Sequence, residues 1–240
     1  MNNTGRPHLL GLLAGLFLAA GLIFSAMLVS RAWLKIAESQ TINATGSARK
    51  NVRSDLIIWR GSFSAEADTL LNAQQRLKDD LPKIENFLKV NGVTNYILTP
   101  IAIQELRSND GAQKRVGFRL TQSLEIHSPE VDQITKLSRD STVLVEQGVF
   151  FTTEPPEYIY TKASEAKIEM LAEATKDARL RAEQIASQGA RMIHELRAAR
   201  MGVFQVTPLY SSQTSSEGIN DTSSLEKTVT AVVTASFSLK

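Results

Sequence analysis

The chain has 240 residues, with 27 Lys and Arg against 25 Asp and Glu and a formal net charge of +2. No run of Lys and Arg exceeds two residues, so the concentrated basic surface that nucleic acid requires is missing and no nucleic-acid partner is expected. The absence of cysteine excludes disulfides, thiol nucleophiles, iron–sulfur clusters and cysteine-ligated zinc, and a hydrophobic content of 42% suffices for a packed core.

A short polar tail, residues 1–8, leads into Leu9–Val29, which carries no charge. As a helix this run is about 31 Å long, close to the roughly 30 Å hydrocarbon core of a bilayer. Arg6 precedes it, while Arg31, Trp33 and Lys35 follow it, as suits a headgroup boundary. The competing reading is a cleaved signal peptide, whose apolar region is usually about 7–15 residues. The longer span favours an uncleaved anchor over residues 9–30, contacting the lipid bilayer through 9–29, with a polar linker at 31–40. Gly11, Gly15 and Ala19 recur every four residues, a spacing that lets two membrane helices approach closely. The cations beyond the span, Arg31, Lys35, Arg49 and Lys50, taken by a plain charge count, would leave the C-terminal part cytoplasmic.

Beyond the linker, period-two patterns alternate with helical ones. Residues 55–65, "DLIIWRGSFSA", are rich in strand formers. The next helical stripe is Leu70, Gln74, Leu77, Leu81, Ile84 and Leu88; Pro82 interrupts it, predicting a kink or restart capped by Asp79 or Asp80. Asn91-Gly92 supplies the stop. The strand "NYILTPIAIQEL" contains Pro100, which confines it to an edge or a bulge, and "SNDGAQ" (108–113) reads as a hairpin loop. In "VGFRLTQSLEI", Val116, Phe118, Leu120, Leu124 and Ile126 share one face. A short helix over 131–139 follows Ser128-Pro129. A polar, turn-rich loop at 211–224 precedes the last strand, where Val229, Ala231, Val233, Ala235, Phe237 and Leu239 alternate with Thr and Ser. The order strand, helix, strand, strand occurs over 55–127 and again over 147–239. This predicts an α+β domain, two such units forming antiparallel sheets with helices packed against them.

The long helix in the second unit has a stripe of Ala163, Ala166, Met170, Ala174, Ala178, Ala182, Ile185 and Gly189 at spacings of three and four. Alanine lets the helix axis approach its support closely, but each buried methyl contributes little, so strength must come from length and from the larger residues. Glu165, Glu169 and Glu173 form an outer row. A di-metal helix site would add histidine at Glu-x-x-His spacing, and none is present, so a solvated charged face is the better reading. The three histidines, His8, His127 and His194, stand in no nucleophile–base spacing, and no phosphate-binding or dinucleotide motif occurs. No enzymatic activity, cofactor or metal is expected.

The alanine helix carries a resemblance. "AEATKDARLRAEQIASQG" is similar to the alanine-patterned helix of the SIMPL-domain family, matched by Ala174, Ala178, Ala182, Ala186 and Ala190 with Gly189 near the family's glycine. "INATGSARKNVRSDLIIWRGSFS" resembles the family's opening strand, glycine turn and Asp-led strand. "FLKVNGV" resembles its helix stop and "KRVGFRLTQSLEIHS" its central strand, so the likeness spans residues 41–240. "TTEPPEYIYTK" departs from the pattern and would lengthen the helix to 157–189. The resemblance implies an exported protein of Gram-negative bacteria, periplasmic or envelope-associated; with the apolar span, this gives a single-pass protein of the inner membrane with its soluble domain in the periplasm. It also implies ring- or channel-like homo-oligomers and a link to oxidative-stress tolerance, and it carries over no catalytic residue. A membrane-anchored, oligomerising scaffold with an unspecified protein partner is therefore expected. A small-molecule-binding or transport-associated module is the alternative, and a hydrolase built on Glu165, Glu169 and Glu173 is a third reading.

Overall fold

The computed structural model describes residues 7–37, 40–108 and 114–240. Helix α1 (Pro7–Ala37) comes first and contains an apolar stretch, Gly11–Trp33, of mean hydropathy 2.5 with none of it buried. It continues past Val29 into the expected polar linker, because no glycine or proline lies between Ser30 and Ala37 to end it.

In chain order there follow β1 (Thr41–Arg53), β2 (Leu56–Ala67), α2 (Leu70–Val90), β3 (Ile97–Leu98), β4 (Ala102–Arg107) and β5 (Arg115–Ser128). The second half comprises α3 (Val131–Asp140), α4 (Thr142–Glu146), β6 (Phe150–Thr153), β7 (Glu157–Ile159), α5 (Ala163–Gln188), β8 (Ile193–Met201), β9 (Gln205–Pro208) and β10 (Glu226–Leu239). The protein is α+β, with the strand pairings registered between these elements all antiparallel. One sheet has β5 and β2 at its centre, with β3 and β4 on one side and β6 and β7 on the other. The other has β10 at its centre, flanked by β1, β8 and β9. Each half therefore receives a strand from outside its own run: β6 and β7 join the first sheet, and β1 joins the second.

The chain divides into two compact units, Ser47–Ala174 with Gly202–Val232, and Met1–Gly46 with Thr175–Met201 and Val233–Lys240. In the larger unit, β2 alternates strictly: Ile57, Trp59, Phe63 and Ala65 are buried, and the residues between them face outward. They meet Leu120, Leu124 and Ile126 of β5 and the α2 row Ala73, Leu77, Ile84 and Leu88 in one core. Gly61 lies in the buried row of β2 because Phe151 of β6 occupies its side-chain space; a Cβ there would sit 2.4 Å from the ring. A second cluster of the same unit packs Ala166 and Met170 of α5 on Val206, Val229 and Ala231.

Several local expectations need correction. Helix α2 runs unbroken through Pro82, capped by Thr69, whose Oγ1 accepts from Asn72 N at 3.3 Å. Asp79 and Asp80 instead accept from Gln75 and Lys83 within the helix, and the core beneath holds both halves in line. The stop is as expected: Asn91 caps α2 and Gly92 takes φ +76°. Pro100 separates β3 from β4, and both pair only with β5, which makes them edge strands. Of the hairpin loop expected at 108–113, residues 109–113 lie outside the described residues; β4 and β5, which flank it, pair antiparallel. Strand β1 passes straight through Gly46, and the strand breaks only at Ser54 and Asp55. Residues 157–159 do not extend the long helix but form β7 on β2, as the β-formers Tyr158 and Ile159 favour. Asp55 then takes both N–H and Oγ1–H of Thr161, at 2.7 and 2.8 Å, just before α5 begins.

The smaller unit has a methyl-sized core. Ala178 and Ala182 of α5 meet Ala44, Ala235 and Phe237, with Ile42 and Ile193 partly buried beside them. Strand β8 pairs with β10 through two register shifts around Phe237.

Candidate functional site

Three sets of residues invite a functional reading, and the first two were legible in the sequence. On α1, Leu12, Leu16, Phe17, Ile23 and Phe24 are all exposed, as an apolar helix destined for lipid would leave them. Gly11, Gly15 and Ala19 share one face at four-residue steps, and a Cβ added at Gly11 or Gly15 would meet nothing within 4 Å.

On α5, Ala166, Met170, Ala174, Ala178 and Ala182 are buried, and Ala163 is half-buried. Ile185 and Gly189 are exposed, and Ala186 closes the buried row instead. Each four-residue step turns about 40° round the helix axis, whereas a step of three to Ile185 would turn it about 60° the other way. The approach to Ala235 and Ala44 admits a methyl group, so the row keeps to alanine. Glu165, Glu169 and Glu173 point outward, and Glu169 accepts both of its bonds from Lys50 of β1, at 2.8 and 2.6 Å. Among the described residues, no group of three or more metal-ligating side chains is close enough to hold an ion.

The charged side chains on the outer face of the first sheet were not legible as a set. Arg60 of β2 lies opposite Glu125 of β5 and donates to it at 3.0 Å, and it also donates to Glu157 of β7. His127 is bonded to the other oxygen of Glu125, and together His127 first and Arg60 second hold the Glu125 carboxyl below its ordinary value. Further along, Arg119 and Glu66 form another cross-strand pair at 2.6 Å.

A buried pair was missed altogether. Lys227 is fully buried in β10, on the same face as Val229. Its ammonium donates to the Asp221 carboxylate at 2.8 Å and to the Asp221 carbonyl at 2.6 Å. Asp221 also accepts from Ser223 N and Oγ and from Ser224 N. Burial pushes its carboxyl up, but the bonds from Lys227 and Ser223 outweigh burial and hold it at about 2. This end of the 211–224 loop is thus tied to the sheet, with Asp221 N donating to Val206 O at 2.9 Å.

The third set lies on the face of the second sheet away from α5, within the larger unit. Alternation puts Arg49 and Asn51 of β1, Thr228 and Thr230 of β10, and Gln205 and Thr207 of β9 side by side. The segment Tyr210–Thr214 borders them and completes a groove of about 620 Å³. Gln205 donates its amide N–H to Ser215 O at 3.4 Å, while its Oε1 is buried with no partner among the described residues. Tyr210 takes φ +63°, a left-handed conformation uncommon for a non-glycine residue, and its ring is almost fully exposed. The sequence signal was the run of Thr at 228, 230 and 234 opposite the apolar row, which by itself describes any wet sheet face.

These features define an α+β protein of antiparallel sheets, with a long helix packed on one face of a sheet, that follows an apolar helix long enough to cross a bilayer. The chain belongs to the SIMPL family, described as a protein of unknown function (DUF541), whose profile matches residues 42–237. No curated protein matches it.

Proposed function

We propose that the protein is a membrane-tethered, non-enzymatic SIMPL module that self-associates and acts as a scaffold in the cell envelope. The observation that carries it is the 23-residue stretch Gly11–Trp33, of mean hydropathy 2.5 and buried nowhere in the protein. Such a helix needs lipid or a partner to cover it. The open ridge of Gly11, Gly15 and Ala19 suits close approach by the same helix of a second copy. On the outer sheet face, Arg60, Glu125, Glu157 and His127 are engaged with one another, an arrangement suited to holding strands rather than to turning over a substrate. The family resemblance supports an exported soluble part, and with it a role in envelope or oxidative-stress maintenance.

Light scattering of the full chain in nanodiscs or mild detergent tests self-association. An oligomer is expected, weakened when Gly11 and Gly15 are both replaced by Leu; a strict monomer sinks the scaffold reading. A reporter fused after Lys240 tests the orientation. Activity only on the exported side is expected, and activity only in the cytoplasm overturns that part.

A further inference from the structure

The geometry points to the groove of β1, β9 and β10 as a binding site for a short acidic oligosaccharide, with its carboxylate on Arg49 and one sugar ring against Tyr210. This stands apart from self-association, because none of the groove residues belongs to α1.

The chemistry of the walls selects the ligand. Arg49 is the one charged side chain lining the groove, and among the described residues it has no hydrogen bond or ion pair. A free guanidinium facing a polar cleft fits a carboxylate, which it can grip with two parallel bonds. No carboxylate lines the groove, so an ammonium group finds no counter-ion there, which argues against amino acids and polyamines. The remaining groups are hydroxyls and amides, including Thr228, Thr230, Ser211 and Asn51, which both donate and accept. Sugar hydroxyls have the same dual character.

Size and shape agree. A volume of about 620 Å³ exceeds a single sugar ring and lies inside the usual range for ligand pockets. Tyr210 is held in an unfavoured backbone conformation with its ring exposed beside the cleft, and strained residues of this kind gather at binding sites. Its flat face suits the C–H face of a sugar ring, with the phenol left free to bond.

The test is isothermal titration calorimetry on the full chain in nanodiscs, with digalacturonate as probe and maltose and inorganic phosphate as controls. Saturable binding of digalacturonate is expected, with maltose at least about tenfold weaker for want of the charge. Arg49→Gln should weaken digalacturonate by about tenfold or more and leave maltose unchanged, and Tyr210→Ala should weaken both sugars. Both side chains are surface groups, and unchanged circular dichroism and melting of the variants would show that the fold is intact. No saturable binding by 10 mM digalacturonate, on the order of the weakest site worth the name, overturns the proposal. So does equal binding of phosphate, or binding that both substitutions leave untouched. None of these outcomes bears on the oligomeric state, which light scattering reads separately.

Discussion

Lys227 and Asp221 show how one pair can hold a loop to a sheet. The ammonium is fully buried and the carboxylate nearly so, which makes each charge dependent on the other. Lys227→Met should therefore destabilise the protein by about 3–5 kcal/mol, because Asp221 is left charged and unpaired, whereas Lys227→Met with Asp221→Asn should recover a large part of that loss. Urea unfolding of the wild type and the two variants measures both. The same pair sets a pH dependence. The Asp221 carboxyl is lowered to about 2 in the folded protein, so its stabilisation is complete above the ordinary carboxylate range and is lost as pH falls through roughly 4 towards 2. About 2 kcal/mol disappears over that window, and the double variant should lack this component. Gly61 is a steric counterpart. Gly61→Ala places a methyl against the Phe151 ring, with an expected cost of about 1–3 kcal/mol, and Phe151→Leu should restore part of the melting temperature by making room.

At the scale of the element, α2 and α5 carry their sheets by different means. Helix α2 presents Leu77, Ile84, Phe87 and Leu88 to the first sheet, and this burial outweighs the break that Pro82 would impose on an isolated helix. Pro82 is exposed and denies the Lys78 carbonyl its helical partner. Pro82→Ala should accordingly raise stability by about 1–3 kcal/mol, read as a higher urea midpoint with an unchanged slope. Helix α5 instead relies on Ala174, Ala178, Ala182 and Ala186, whose small size permits close approach and whose individual contributions are slight. Its larger residues Leu180 and Ile185 are turned outward, so the helix is held by fit rather than by apolar bulk.

For the whole molecule, the open point is the fate of the apolar helix. Two fates are physically open to Gly11–Trp33, retention as an anchor and removal as a signal segment. Retention is the fate we propose, on the length of the span. Intact-mass spectrometry of the protein extracted from membranes should therefore give a chain that keeps residues 11–33, and alkaline carbonate should leave it in the membrane pellet. A mature chain beginning after Trp33, recovered in the soluble fraction, would contradict the anchor and remove Gly11 and Gly15 from any account of assembly.

The sequence by itself determined the α+β class, the apolar span and most strand faces, because period two and period 3.6 are local consequences of burying one side of an element. Ile57, Trp59 and Phe63 in β2, and Val229 to Phe237 in β10, could be assigned for that reason. Tertiary structure decided what local pattern does not encode. It decided that Ala186 rather than Ile185 ends the buried row, since only the approach of the facing sheet sets the room available. It placed β7 on β2 where a longer helix was expected, because an unpaired edge was there to receive it. Lys227 in the core became affordable only through Asp221, brought within reach by the path of the loop between them. The groove, too, needed three strands from distant parts of the chain in register before Arg49, Thr230 and Gln205 could stand on one face.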